Sequence, residues 1–285
     1  MWALKGCEMN LLPDKKCRTI VVLTLLLCSS LWPQSNLQSL LSQAHDLKDR
    51  GDLLSAAKLF KSIASESKDS TMIADALYGF VKCGDSAAIL LTTRLQVINL
   101  FSKPNKDTTS RQKLLDDLDE QLNSLSKIGI NLHLTGFEHD YYDNADTSIR
   151  PLLSKHFANT PAGELASFDI IDITCDRVTT IDRANSFLRR YFKSRHRIDV
   201  LLMLGRAYHD LWEDSNSPNM LGTLDQAEVQ REGPDELRTQ AIKYLSSAIK
   251  DKNHLTRLKW EPIYDKVLAQ LQNGEHTGVC FYCCD

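Results

Sequence analysis

The sequence predicts an all-α protein built from consecutive antiparallel helix pairs, and three observations carry that expectation. Apolar residues recur at three- and four-residue spacing through most of the chain, which places them along one face of a helix. Gly and Pro number only 12 and 8 in 285 residues, too few for the many turns of an all-β fold. Gly51-Asp52 and Gly84-Asp85 stand 33 residues apart, the period of a helix–turn–helix array.

Residues 1–35 read as a targeting or anchoring segment. Lys15, Lys16 and Arg18 precede the run from Thr19 to Trp32. That run is shorter than the roughly 20 residues a permanent span needs, and small residues follow its apolar centre, as in an export signal. Two alternatives stand beside a cleaved or retained signal. Cys28, directly after Leu25-Leu26-Leu27, is a candidate for lipidation, although a lipoprotein signal takes a small residue where Leu27 stands. The run can also be an ordinary buried helix. Loss of residues 1–30 would take the formal charge from −3 to −5, and neither value is the basic footprint of a nucleic-acid binder.

Residues 36–128 read as N-terminal helical repeats and one further amphipathic helix. Leu37, Leu40, Leu41, Ala44 and Leu47 form one stripe, and Ala56, Ala57, Phe60 and Ile63 form the next after the Gly51-Asp52 turn. Met72 to Phe80 and Ile89 to Phe101 repeat the plan around a second turn at Gly84-Asp85. Leu114, Leu118, Leu122 and Leu125 then define a helix whose polar face is acidic. Residues 129–162 are an irregular acidic and aromatic connection. Helical spacing returns over 163–272, interrupted by a polar insertion at 213–236, and residues 273–285 form a Cys-rich tail.

The last stripes carry a family resemblance. Leu201, Leu204-Gly205 and Tyr208, followed by Ala241, Leu245 and Ala248, resemble the two helices of a tetratricopeptide repeat. Small residues at 205, 241 and 248 let two helices approach closely while bulky ones fill the gaps. The 33 residues from Tyr208 to Ala241 exceed the turn the family uses, so 213–236 reads as an insertion there. The resemblance implies a TPR-like α-solenoid whose first helices line a concave groove for a protein or peptide. By position it points to His45 and Lys48 in the first repeat and to Asp199, Leu202, Arg206 and His209 in the last. The cations among these suit an acidic partner segment. The stretch Ala184–Leu211 is similar to periplasmic repeat proteins of Gram-negative envelopes. The implied function is an exported, non-enzymatic scaffold in the bacterial periplasm or cell envelope, without cofactor. The alternative is a membrane- or lipid-anchored assembly factor.

A third reading is a metal or redox protein. His133, Glu138, His139, Asp140, Asp143 and Asp146 offer oxygen and imidazole ligands, and Cys280 and Cys283 form a CxxC. Their spacing matches neither a calcium loop nor a four-ligand zinc site, so the expected metal set is none. A tail pinned by a disulfide, or a partly buried apolar end, is the simpler expectation for the cysteines. Phosphate-binding loops, HExxH and nucleophile elbows are missing from the sequence, so no catalytic residue is expected.

Overall fold

Local sequence signals set the helix boundaries first. A computed structural model describes residues 36–101, 108–135, 141–144, 148–174, 176–215, 223–250 and 261–282. Helix makes up 80% of these residues. The candidate signal or anchor, Cys28 included, lies outside them. The chain divides into two compact units, Met1–Cys83 and Gly84–Asp285.

In the first unit, α1 (36–49) and α2 (Leu53–Glu66) are joined by the Gly51-Asp52 turn. The N–H groups of Gly51 and Asp52 return to the Lys48 and Leu47 carbonyls. The Asp52 carboxylate then accepts from the Ser55 N–H and caps α2. Leu41, Ala44, Ala57, Phe60 and Ile63 form the buried stripe. The ring of Phe60 occupies the space where a Cβ at Gly79 would stand, 2.5 Å away.

Helix α3 (Ser70–Phe101) runs straight through Gly84-Asp85, where the sequence suggested a turn. Both residues have other work. A Cβ at Gly84 would lie 2.4 Å from the Asn144 amide nitrogen, so the glycine permits a close approach. Asp85 accepts from Arg150 through both oxygens, at 2.6 Å each, and from the Asn144 side-chain amide at 3.1 Å. Arg150 is only 6% exposed, and its Nε lies 3.7 Å from Asp169. A buried guanidinium is tolerated only with such partners.

The second unit continues with α4 (Thr108–Ile128) and an antiparallel pair, β1 (Leu132–Thr135) and β2 (Tyr141–Asn144). His133 sits opposite Asp143 in that pair. The other proposed ligands of this region lie outside the described residues. The supposed irregular connection thus holds two short strands and also α5 (Ile149–His156), which packs on α6 (Pro161–Asp172). An apolar groove of about 260 Å³, lined by Leu90, Val97, Leu114 and Leu118 among others, separates α3 from α4.

The main core gathers around α8. Helices α7 (Arg177–Arg190), α8 (Arg197–Asp214), α10 (Pro234–Ile249) and α11 (Glu261–Asn273) follow, with α9 (Thr223–Glu232) inside the supposed polar insertion. Helix α9 is amphipathic in an unusual way. Its Asp225 and Glu228 are buried, and Arg177 reaches Asp225 at 3.4 Å. Burial raises both carboxyls above their ordinary values, against the pull of Arg177 and Arg231 respectively.

Helix α8 packs most extensively on α10 and next on α7. The resemblance residues meet at that seam: a Cβ on Gly205 would fall 2.6 Å from the Leu245 side chain and 3.0 Å from its backbone nitrogen. Leu201, Leu204, Tyr208, Ala241, Leu245 and Ala248 are all buried there. The arrangement is all-helical packing of the kind the spacing predicts. Gly205→Ala should therefore lower stability by about 1–3 kcal/mol through overpacking, and Leu245→Ala by about 2–5 kcal/mol through a cavity. In urea unfolding the double variant should lose less than the sum, since each change relieves the other; simple additivity would refute the contact.

Candidate functional site

Helix α8 should present one apolar face and one wet face, yet Val200 to Trp212 is buried almost without interruption. Its outer face is covered by residues 275–282 of the same chain. After α11 the N–H of Gly274 bonds the Leu271 carbonyl and that of Glu275 bonds the Gln270 carbonyl. This is a Schellman turn, and the φ of +74° at Gly274 is one that a glycine adopts without strain. The chain reverses there and lies back on α8.

Two carboxylates hold the returning segment. Asp210 is 1% exposed, and its Oδ2 accepts the backbone N–H groups of Phe281 and Tyr282, both at 2.7 Å. Its Oδ1 faces His209 Nδ1 at 2.8 Å. Because an ionised carboxylate only accepts, that nitrogen carries the proton. His209 Nε2 lies 2.9 Å from the Thr277 hydroxyl, which donates to Glu213 at 2.7 Å. The same Glu213 oxygen takes the Thr277 N–H, and its other oxygen meets His276 Nδ1 at 3.0 Å. Burial works to raise the Glu213 carboxyl. The Thr277 hydroxyl and N–H, His276 and His209 outweigh it and hold the group below its ordinary value.

Aromatic contacts complete the dock. Phe281 meets His209 edge-on at 5.1 Å and stacks on Tyr264 at 5.7 Å. The Arg206 guanidinium lies over both Tyr264 and Phe281 and donates to the Tyr264 hydroxyl. His276 stacks on Trp212 at 4.6 Å. Tyr282 donates to the Met203 carbonyl, and burial pushes its phenol up to about 12.

The predicted site residues fall in several places. Leu202 and His209 are core residues, 3% and 0% exposed, so neither side chain lines an open groove. Arg206 is half-buried beneath the returning segment. Asp199 sits 3.7 Å from His196 at the start of α8. In the first unit, His45 lies 3.5 Å from Asp75 and edge-on to Phe60, and Lys48 pairs with Asp49 at 3.0 Å. On α8 the structure thus brings Arg206 and His209 together around Phe281.

The chain matches no protein-family model, no curated protein and no solved structure. The repeat resemblance therefore rests on its residues alone. Among the described residues no helix is long and apolar enough to cross a membrane, and no group of three or more His, Cys, Asp or Glu is placed to hold a metal ion. Cys280 is disulfide-bonded, and Cys83 is buried.

Asp210, Glu213, Tyr264, Thr277 and Phe281 were not singled out from sequence. One signal was present: His209-Asp210 interrupts the apolar run between Leu204 and Trp212, and a charge on a core stripe needs a partner. Asp210→Asn should cost about 3 kcal/mol of segment docking, since the acceptor of two charge-assisted bonds loses its negative charge and an NH2 group replaces one carboxylate oxygen, read as faster amide exchange at Phe281 and Tyr282. Because docked Glu213 titrates below its free value, its contribution is complete above the free value and fades as pH falls through the docked one. Glu213→Gln should flatten that acid-side loss in the Thr277 amide exchange; an unchanged profile would place the acid sensitivity elsewhere.

Proposed function

We propose that the chain is a non-enzymatic, tetratricopeptide-like scaffold whose α8 face holds a non-helical peptide segment. The observation that carries this reading is the segment already there. In the family that the sequence resembles, the first helix of a pair lines the partner groove, and α8 is the first helix of the matching pair. Residues 275–282 lie on that helix and use backbone N–H groups, one hydroxyl and one aromatic ring to bind it.

The chemistry of the face defines its ligand. Asp210 takes two consecutive backbone N–H groups, whatever their side chains. Glu213 takes a hydroxyl, and the ring of Phe281, four residues beyond Thr277, enters a slot made by Tyr264, Arg206 and His209. A partner segment with Ser or Thr four residues before an aromatic residue fits these positions. Compartment belongs to the same reading: the positively flanked apolar run in residues 1–35 supports export to a bacterial cell envelope, and Cys28 supports a lipid anchor there.

The test uses a synthetic peptide of residues 275–285 with Ser in place of its cysteines. The chain shortened after Gly274 should bind it saturably. The intact chain should bind at least tenfold more weakly, because its own segment competes at the roughly millimolar effective concentration of a short tether. A shortened chain that keeps its helicity but ignores the peptide would end the proposal. Should shortening unfold the protein, full-length Asp210→Asn serves instead, and its own segment should then be cleaved by protease faster than in the parent.

A further inference from the structure

Charge distribution points to a second site, away from the α8 face. The chain is acidic as a whole, yet residues 183–198 contain Arg183, Arg189, Arg190, Lys193, Arg195 and Arg197 and no acidic residue. Arg183, Ser186 and Arg190 stand at i, i+3 and i+7 of α7, on one side of the helix. Beside that side lies a cavity of about 100 Å³ between α5, α6 and α7, lined among others by Ser154, Ser167, Arg183, Ser186, Arg190 and Tyr191. Its volume is roughly three times the ~30 Å³ share of a liquid water. It is too small for a drug-sized ligand, whose pockets run about 300–1,000 Å³.

Both guanidiniums are held in place by backbone rather than by carboxylates. One nitrogen of Arg183 donates to the Ile170 carbonyl at 3.2 Å and to the Thr174 hydroxyl. One nitrogen of Arg190 donates to the Ser154 carbonyl at 3.1 Å. These carbonyls belong to the last turns of α6 and α5, which carry unpaired acceptors and the negative dipole end. Helix-end capping explains one nitrogen of each arginine. A guanidinium has five N–H donors in a planar fork, and the other donors of these two have no partner among the described residues. Among the described residues the partners of these two arginines are two carbonyls and one hydroxyl, and no carboxylate. The Ser186 hydroxyl likewise has no partner among the described residues; of the other lining hydroxyls, Ser167 bonds the Gly163 carbonyl and Ser154, Tyr191 donates to the Ala158 carbonyl, and Ser154 accepts.

We infer that this pocket binds one phosphoryl group, either as the free ion or as the end of an organic monoester. Two anchored cations, with the Ser186 hydroxyl between them on α7 and the Ser154 hydroxyl on α5, offer donors from more than one direction, which suits a tetrahedral acceptor. A planar carboxylate would use a single fork. The site stands apart from the α8 face, so it neither needs nor blocks the peptide held there.

Titration calorimetry of the full chain in an anion-poor buffer tests the site, with inorganic phosphate and O-phosphoserine as probes. Saturable one-to-one binding is expected. Arg183→Gln and Arg190→Gln should each weaken it about tenfold or more, the loss of one charge-assisted contact. Ser186→Glu removes no observed contact and supplies a carboxylate to both arginines, so it should abolish binding while thermal stability is kept or raised. At least tenfold tighter binding of O-phosphoserine would mark the monoester as ligand, and equal binding the free ion. Non-saturable heats, or affinity unaltered by Ser186→Glu in a folded protein, would overturn the assignment.

Discussion

A carboxylate at position 210 lies in the middle of the most buried helix of the protein, and the surrounding structure answers to it. An isolated ionised carboxylate in an apolar interior costs far more than any one packing contact returns. Asp210 is therefore surrounded by donors: the His209 ring on one oxygen and two peptide N–H groups on the other. Those peptide groups come from a segment that has to travel back past α11 to reach them. The Schellman turn at Gly274, the stack of Tyr264 on Phe281 and the Glu213–Thr277 bonds are the geometry of that return. Without the segment, Asp210 would lose both peptide donors and Glu213 its bonds from Thr277.

Much of the helical fold was legible because helix periodicity is a short-range signal. The stripes from Leu41 through Ile63 and from Leu201 through Ala248 appear in the structure as buried faces. Gly205 was read as a close-packing position, and the distance to Leu245 is of that kind. The Gly84-Asp85 turn failed for a nonlocal reason. Glycine and aspartate favour turns when their neighbours are sequence neighbours, but here Asn144 and Arg150, some sixty residues onward, occupy the space and the charge. Residues 213–236 misled in the same manner. Their polarity suggested a solvated insertion, yet Asp225 and Glu228 on α9 turn inward, with Arg177 beside Asp225.

The candidate site was half legible. The repeat pattern drew attention to α8 and to Arg206 and His209 on it, which do contact the bound segment. It gave no hint that the contacts would come from the same chain, since Thr277 and Phe281 sit in a stretch without periodicity. The contacts of this intramolecular segment are of another kind than cations gripping an acidic peptide. On this face the protein supplies the acceptors and the segment the donors. Cations with no carboxylate partner among the described residues lie on α7, beside the α5–α6–α7 wall, and were not singled out from sequence.

The Gly84–Asn144 contact has an implication for how this chain can drift over generations. Bulk at position 84 would displace the amide that bonds Asp85, and Asp85 in turn neutralises Arg150. Neither site can be altered at will while its counterpart stays fixed. Lineages descended from a common ancestor should therefore display correlated replacement at 84, 85, 144 and 150, a four-position signature that would remain detectable after overall similarity has eroded.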